Sequence, residues 1–288
     1  MQGETRRRTR RSLWFRFRRH RLALLGSSVL ALFGLMALFA PIVAIHDPAY
    51  VDLDHIKEGP TLTHILGTDS AGRDVWARLW FAARVSLTVG IGAALISSAI
   101  GAVLGMISGY AGGQSDNSIQ RFTEFVSTIP LFFAVILLVS VTGAHVSNLI
   151  LVIGVLGWTG KARLVRGQVL SLKEMEYVTA ARALGASNLR IIASHIFPGA
   201  IPYIVVSGTL TLAGAIITEA GLSFLGLGVQ FPTPTWGNMM NSAQSLHVLQ
   251  FQPWLWLPPG IAIGATVLAV NFLGDGLRDA LDPRTKVD

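Results

Sequence analysis

The most restrictive feature of this 288-residue chain is the segregation of its charge. Uncharged runs extend over residues 22–46, 85–115, 125–160, 191–218 and 220–274. A helix that crosses a bilayer takes about 20 apolar residues, because the hydrocarbon core is about 30 Å thick. Inside that core no water satisfies a backbone N–H or C=O, so a spanning segment must bond to itself. Each run accommodates at least one crossing, and the chain is directed to an all-α, polytopic membrane fold. Only 14% of its residues are charged, against roughly 25% in an average soluble domain.

Spans are predicted near 22–46, 83–110, 123–142, 146–166, 199–222 and 255–274. The third and fourth share one uncharged run, divided by a turn at Gly143, Ser147 and Asn148. Basic residues decide in favour of dividing it. With six spans and the N-terminus inside, 19 of the 23 Lys and Arg fall on the cytoplasmic side, as the positive-inside rule requires. Merging spans three and four would strand the basic cluster between Lys161 and Arg190 on the outer side. The expected organisation is a basic cytoplasmic tail (1–21), a first span (22–46), an extracytoplasmic loop (47–82), a core of five spans (83–274) and a cytoplasmic tail (275–288).

Several functions are excluded at this level. There are no cysteines, so disulfides, thiolate chemistry and Cys-ligated metals are absent. The net charge of +7 comes largely from nine basic residues ahead of Leu22; it is a topology signal, and no basic groove with interleaved aromatics suggests nucleic acid. Thr9-Arg10-Arg11-Ser12 has the look of a twin-arginine signal, but the apolar run that follows is longer than the 7–15 residues of a cleavable one, so it reads as a signal-anchor. The stretch Gly154–Ala162 imitates a phosphate loop, yet Val155 stands where glycine is required and Ala162 where Ser or Thr is. No His-Glu-x-x-His and no buried acid pair is visible, so no catalytic residue is expected. His46, His55 and His64 recur every nine residues in an acidic outer loop; this matches no local ligand motif, they read as solvated loop histidines, and no metal site is expected.

Local signals mark three further places. Segment 73–84 can lie as an amphipathic helix at the outer interface, anchored by Trp76 and Trp80. Gly101, Gly105 and Gly109, and again Gly260 and Gly264, form small faces that let helices approach closely, for static packing rather than a moving interface. Between spans four and five, Ser171 and Glu174 form a capping box, Gly185 ends the helix in the left-handed conformation, Ser187 caps a second short helix, and Pro198 begins the turn into span five. The product is a helix–Gly–helix elbow on the cytoplasmic face.

That elbow resembles the loop by which permeases of ATP-binding-cassette (ABC) importers engage their ATPase. The pattern Thr179-Ala180-Ala181, three residues, Gly185, and the closing His195-Ile196-Phe197-Pro198 carry the likeness, with Thr179 in place of the family's glutamate and Phe197 in place of leucine. Gly67-Thr68-Asp69, Gly72-Arg73-Asp74 resembles the outer-loop signature of dipeptide, oligopeptide and nickel permeases. The segment from Glu219 through Gly226 and Gly228, then Trp236-Gly237, resembles their fifth-span exit. The likeness covers about 270 of the 288 residues, and within the family it is to the C-type dipeptide/oligopeptide permease. It implies a type I importer fold. It also implies a heterodimer with a second permease, two ATPase subunits (or one fused) carrying ATP and magnesium, an extracytoplasmic binding protein, and no cofactor in this chain. The implied location is a bacterial plasma membrane.

The implied ATPase-coupling residues are Glu174, Glu176, Tyr177, Thr179, Ala180, Ala181, Arg182, Gly185, Ala186 and Ser187, with Glu174 or Glu176 standing in for the missing glutamate. Glu219, Gly226, Gly228 and Trp236 are expected to be structural or gating. Apart from Glu124 at the edge of the third, Glu219 is the one acidic residue within a predicted span, which makes it a functional candidate; its place near the outer end suggests that water reaches it. The implied cargo is peptide, with glutathione, haem-type compounds and nickel as alternatives. A stand-alone secondary carrier, the competing class, would show inverted repeats and charged midplane residues.

Overall fold

The computed structural model describes residues 17, 18 and 20–281, so most of the basic N-terminal tail and the last seven positions lie outside the described residues. Among the described residues there is no strand, only an isolated bridge between Thr68 and Asp74. Helix α1 (Arg21–Leu38) starts at His20, whose Nδ1 accepts from the Ala23 amide at 3.0 Å. A short α2 (Ala40–Val43) leads to an outer loop. That loop closes on Asp74, whose side chain caps α3 (Val75–Ala111).

Helix α3 is the axis of the fold: α1 and the helices Val146–Leu156, Thr159–Leu172 and Phe197–Phe224 all pack on it. It runs unbroken for 37 residues, about 55 Å at 1.5 Å per residue, well beyond a hydrocarbon core of about 30 Å. The interfacial helix expected over 73–84 is therefore not separate. Its residues form the first turns of α3, and Trp76 and Trp80 pack edge-to-face inside an outer core with Phe33 and Trp236 instead of anchoring in lipid headgroups. Arg78, within the same segment, is buried and donates to the Pro48 carbonyl.

Gly112 and Gly113, both at positive φ, turn the chain into α4 (Gly113–Thr128). It bends by 81° into α5 (Leu131–Thr142) at Pro130, which lacks the amide a continuous helix needs. Gly143 ends α5, and Asn148 Nδ2 donates to the Thr142 and Gly143 carbonyls to hold the turn; Ser147 already lies in α6 (Val146–Leu156). A 43° bend leads to α7 (Thr159–Leu172). Then come α8 (Glu176–Ala183), the one-turn α9 (Asn188–Ile191), a π-helical turn (Ile192–Ile196) and α10 (Phe197–Phe224). The second outer segment holds α11 (Trp236–Met240) and α12 (Leu246–Phe251), and α13 (Pro253–Leu281) packs on α1 and α10. Among the described residues four stretches are long and apolar enough to cross alone, namely α1, α3, Asn188–Phe224 and α13; counting each bent pair as one span gives up to six.

Two details depart from the sequence expectation. Pro198 does not begin a turn: the helix runs through from Asn188, and Pro198 falls in its second segment at the N1/N2 position of α10, where its missing amide costs little. Lys161, expected among exposed cytoplasmic cations, is buried and donates to Ser97 Oγ of α3. The close approach that allows this is the glycine face. A Cβ on Gly101 would lie 2.6 Å from Lys161 Cβ, one on Gly105 2.6 Å from the Ala162 carbonyl, and one on Gly109 2.7 Å from Val169 Cβ. These three glycines are a packing seam between α3 and α7. Gly264, by contrast, has nothing within 4 Å.

Candidate functional site

The elbow between α7 and α10 is built on a small core. Val178 of α8 and Ile191 of α9 are fully buried, together with Ile196, Val165 and Val169 and flanked by Met106 and Tyr110 of α3. Burying one such aliphatic side chain is worth about 1.5–3 kcal/mol, so α8 is seated firmly despite its eight residues. Tyr110 Oη donates to Asn188 Oδ1 at 2.8 Å, Lys173 Nζ donates to the Gly109 carbonyl at 3.2 Å, and Tyr177 stacks on His195. The elbow is thereby tied to the C-terminal end of α3 on both flanks.

Its corner is a two-bond Schellman motif. The Ala186 amide donates to the Ala181 carbonyl at 3.1 Å and the Gly185 amide to the Arg182 carbonyl at 3.0 Å. Both require the left-handed conformation that Gly185 adopts at φ +80°. Ser187 accepts from the Arg190 amide, capping α9 as its sequence position suggested. The proposed capping box at Ser171 and Glu174 does not form. Ser171 Oγ donates back to the Gly167 carbonyl within α7, and α8 begins only after Met175, without a side-chain cap. Helix α7 continues through Ser171 because Val169 and Leu172 belong to the buried elbow core.

What the elbow presents is apolar at its tip and polar at its sides. Leu184 is 88% exposed and Leu189 77%. Glu174, Glu176, Tyr177, Thr179, Ala180 and Arg182 are exposed, and Ala181 and Ala186 half-buried. Thr179 Oγ1 donates to the Met175 carbonyl at 3.3 Å. Neither leucine was singled out from the sequence, where they look like ordinary helix residues.

At the other end, of the residues expected to be structural or gating, Glu219, Gly228 and Trp236 are buried and Gly226 is exposed. Glu219 has no exposed surface, so the expectation of water at this position is corrected. Its Oε2 accepts from Ser86 Oγ of α3 at 3.0 Å and its Oε1 from Ser223 Oγ at 2.7 Å. Ser86 Oγ in turn accepts from the Trp236 amide at 3.3 Å, and Trp236 Nε1 donates to the Leu79 carbonyl at 3.1 Å. Gly226 (φ +78°) closes α10 with a second Schellman pair, Leu227 to Leu222 and Gly226 to Ser223. Gly228 and Gly237 lie where a Cβ would reach within 2.0 Å of Ser223 Oγ and 2.6 Å of Ala220, respectively. A reciprocal capping box of Thr235 and Asn238 starts α11; the Thr-x-x-Asn spacing was readable but overlooked.

The outer-loop signature residues are spent on holding the loop together. Thr68 Oγ1 donates to the His55 carbonyl and accepts from the Glu58 amide. Asp69 accepts from the Ala71 and Arg73 amides and pairs with Arg73 Nε at 2.8 Å. Gly67 and Gly72 both take φ +73°, and a Cβ on Gly72 would fall 1.7 Å from the Asp52 carbonyl oxygen. Arg73 and Arg78 lie over the Phe231 ring, joining this loop to the second outer segment around a cavity of about 120 Å³. The three loop histidines are not separately solvated as their spacing suggested. His64 is buried against Asp74 at 2.9 Å, with the His46 ring 4.8 Å and the His55 ring 5.8 Å from its own. The hydrogen bond between Asp52 and His55 lowers the carboxyl pKa and raises that of the imidazole.

An ion pair invisible to the sequence braces the inner half. Asp116 of α4 accepts from Arg166 Nε at 2.6 Å and Nη2 at 2.5 Å, a two-pronged pair across 50 residues, and from Ser108 Oγ at 2.5 Å.

Up to six candidate crossings among the described residues, one of them the long α3 on which others pack, with a capped elbow at one end and a tightly bonded loop at the other, define a membrane permease of the type I ABC importer fold. Comparison with known proteins places it more closely. Residues 101–287 match the family described as binding-protein-dependent transport system inner membrane component, and residues 9–60 match the N-terminal TM domain of oligopeptide transport permease C. The chain is 41% identical over 280 residues to the oligopeptide transport system permease protein OppC of Bacillus subtilis, covering 96% of this chain and 91% of that one. It is 40% identical over 273 residues to the dipeptide transport system permease protein DppC of the same organism (95% and 85%). Against the glutathione transport system permease protein GsiD of Escherichia coli O6:K15:H31 it is 42% identical over 274 residues (95% and 90%). The chain belongs to the binding-protein-dependent transport system inner membrane component family.

Proposed function

We propose that this chain forms half of the pathway by which an ATP-driven importer moves peptides across a bacterial plasma membrane, with both termini in the cytoplasm. The other half is a second, related permease. Two cytoplasmic ATPase subunits, separate or fused, supply ATP and magnesium, and an extracytoplasmic binding protein delivers cargo to the outer loop and second outer segment. The elbow carries this reading: it is rigidly seated through Val178 and Ile191, yet offers Leu184 and Leu189 to a partner. Apolar tips fixed on a folded base suit insertion into a groove, with Glu174, Glu176, Tyr177, Thr179, Ala180, Ala181, Arg182, Gly185, Ala186 and Ser187 forming the surface around them. Closure of the ATPases on ATP then carries the elbow as a rigid body and switches the permease pair between inward- and outward-facing states, with hydrolysis resetting it. Glu219, Ser86, Ser223 and Trp236 hold the outer gate region together rather than relaying protons.

Peptide cargo is supported by the similarity to oligopeptide and dipeptide permeases, and glutathione by the similarity to a glutathione permease. The test is purification of tagged protein from native membranes. Copurification of a second permease and ATPase subunits, with cross-linking from position 184 to an ATPase, supports the proposal, and the attached binding protein identifies the cargo. An ATPase-free protein that still transports in liposomes would make it a secondary carrier.

A further inference from the structure

The chemistry left over after this reading lies at the outer end of α3. The side chains of His46, His64 and Asp74 each offer a ligand atom, and the three atoms lie within 4.8 Å of one another. We propose that His46, His64 and Asp74 bind a divalent first-row transition ion of the zinc type, which staples the start of the outer loop to the first turn of α3.

The distances suit such an ion. Ligand atoms about 2.0–2.1 Å from a tetrahedral centre are about 3.3 Å apart. Asp74 Oδ2 lies 2.9 Å from His64 Nδ1 and 3.5 Å from His46 Nδ1. The donors converge from three separate places, the chain just after α2, the middle of the loop and the N-cap of α3, so an ion here closes two loops of chain at once. Asp74 is pre-aligned, because its other oxygen, Oδ1, accepts from the Ala77 amide at 2.7 Å; support of this kind orients a ligating carboxylate. His46 Nδ1 is buried without a hydrogen-bond partner. A buried unpaired nitrogen is costly, and a metal ion uses its lone pair directly.

Two imidazoles and one carboxylate, with no thiolate, favour Zn²⁺, Ni²⁺ or Co²⁺ over the hard ions Mg²⁺ and Ca²⁺. A second group, Asp52, His55 and His64, is also close enough to hold an ion. It is the weaker choice, because His55 is half exposed and the group holds no buried nitrogen left without a partner, as His46 Nδ1 is in the first. Three protein donors leave one position open, for water or for a donor from a docked protein. The role proposed is structural, and it does not depend on what the importer carries.

The experiment uses the purified full-length chain with its affinity tag removed, stripped with a chelator and titrated with Co²⁺, then with Zn²⁺. One Co²⁺ per chain should bind with the visible absorption of a four- or five-coordinate N/O site. One equivalent of Zn²⁺ should displace it, and excess Mg²⁺ or Ca²⁺ should not. His64→Gln and His46→Gln should each weaken binding by about 100-fold or more, while His55→Gln leaves it nearly unchanged. His46 Nδ1 has no hydrogen-bond partner, so His46→Gln should keep the fold; Zn²⁺ should raise the Tm of the parent protein and not of this variant. Absence of Co²⁺ binding up to millimolar concentration would overturn the proposal. So would loss of binding in His55→Gln with retention in His46→Gln, which would assign the ion to the neighbouring group, or displacement by Mg²⁺ or Ca²⁺.

Discussion

Gly185 offers a clean perturbation, because two costs that usually travel together are separated there. Its φ of +80° is the left-handed conformation, but a Cβ added to it would meet nothing within 4 Å. Substitution therefore costs backbone energy and no steric repacking. For an L-residue that is roughly 1–2 kcal/mol, at the low end for Asn, which visits this region most readily, and at the high end for a β-branched residue. The cost falls on the corner alone, since Val178 and Ile191 seat the two arms independently. Gly185→Asn should thus be close to neutral, Gly185→Ala intermediate and Gly185→Val worst. The quantity to follow is binding-protein-stimulated ATP hydrolysis by the assembled complex, with complex yield and Tm measured alongside. A corner opened by 1.4 kcal/mol is populated in its native form tenfold less relative to alternatives, so Gly185→Val should lose coupling while the complex still inserts and assembles. Equal stimulated hydrolysis across the three variants would refute the elbow's role as a rigid lever. Loss of assembly in all three would show instead that the corner is needed for folding.

Other perturbations probe the frame. Gly105→Val pushes a side chain against the Ala162 carbonyl and should cost about 1–3 kcal/mol, lowering Tm in detergent, whereas Gly264→Ala, with open space around it, should leave Tm unchanged or raise it slightly. Glu219→Leu strands the hydroxyls of Ser86 and Ser223, whose acceptor it removes, at about 1–3 kcal/mol for each buried group left unpaired. Glu219→Gln keeps an acceptor and should retain ATP-dependent transport with a smaller loss in Tm; abolished transport at unchanged Tm would reinstate a proton-relay role. Asp116→Ala leaves Arg166 without its two-pronged partner and should cost roughly 1–3 kcal/mol, read as faster proteolysis within α4; unchanged proteolysis would mean that Pro130 and the bilayer hold that helix unaided.

What the sequence reveals and conceals follows the range of the forces involved. The spans are legible because the bilayer acts on each segment separately. Gly185 and Ser187 are legible because helix ends are settled within four or five residues. The unbroken start of α3 is not, since Arg78 looks like a surface residue until Asp69 and the Pro48 carbonyl are brought to it. The same reasoning applies to Ser171 and Glu174. Locally they spell a helix start, but burial of Val169 and Leu172 against Val178 and Ile191 outweighs a cap worth about 1 kcal/mol. Asp116 and Arg166, and His46 and His64, find one another only through the fold.

Helix α3 also has a mechanical meaning. It contains no proline, its outer end is clamped by the Asp74 cap and the loop knotted onto it, and its inner end carries Tyr110, bonded to the elbow. A shaft without a joint cannot absorb displacement along its length. If the elbow is pushed sideways, the whole rod tilts, and a tilt of only 5° separates its two ends laterally by about 5 Å for a length of about 55 Å. Motion delivered on one side of the membrane thus reappears on the other without passing through any chain of switching side chains.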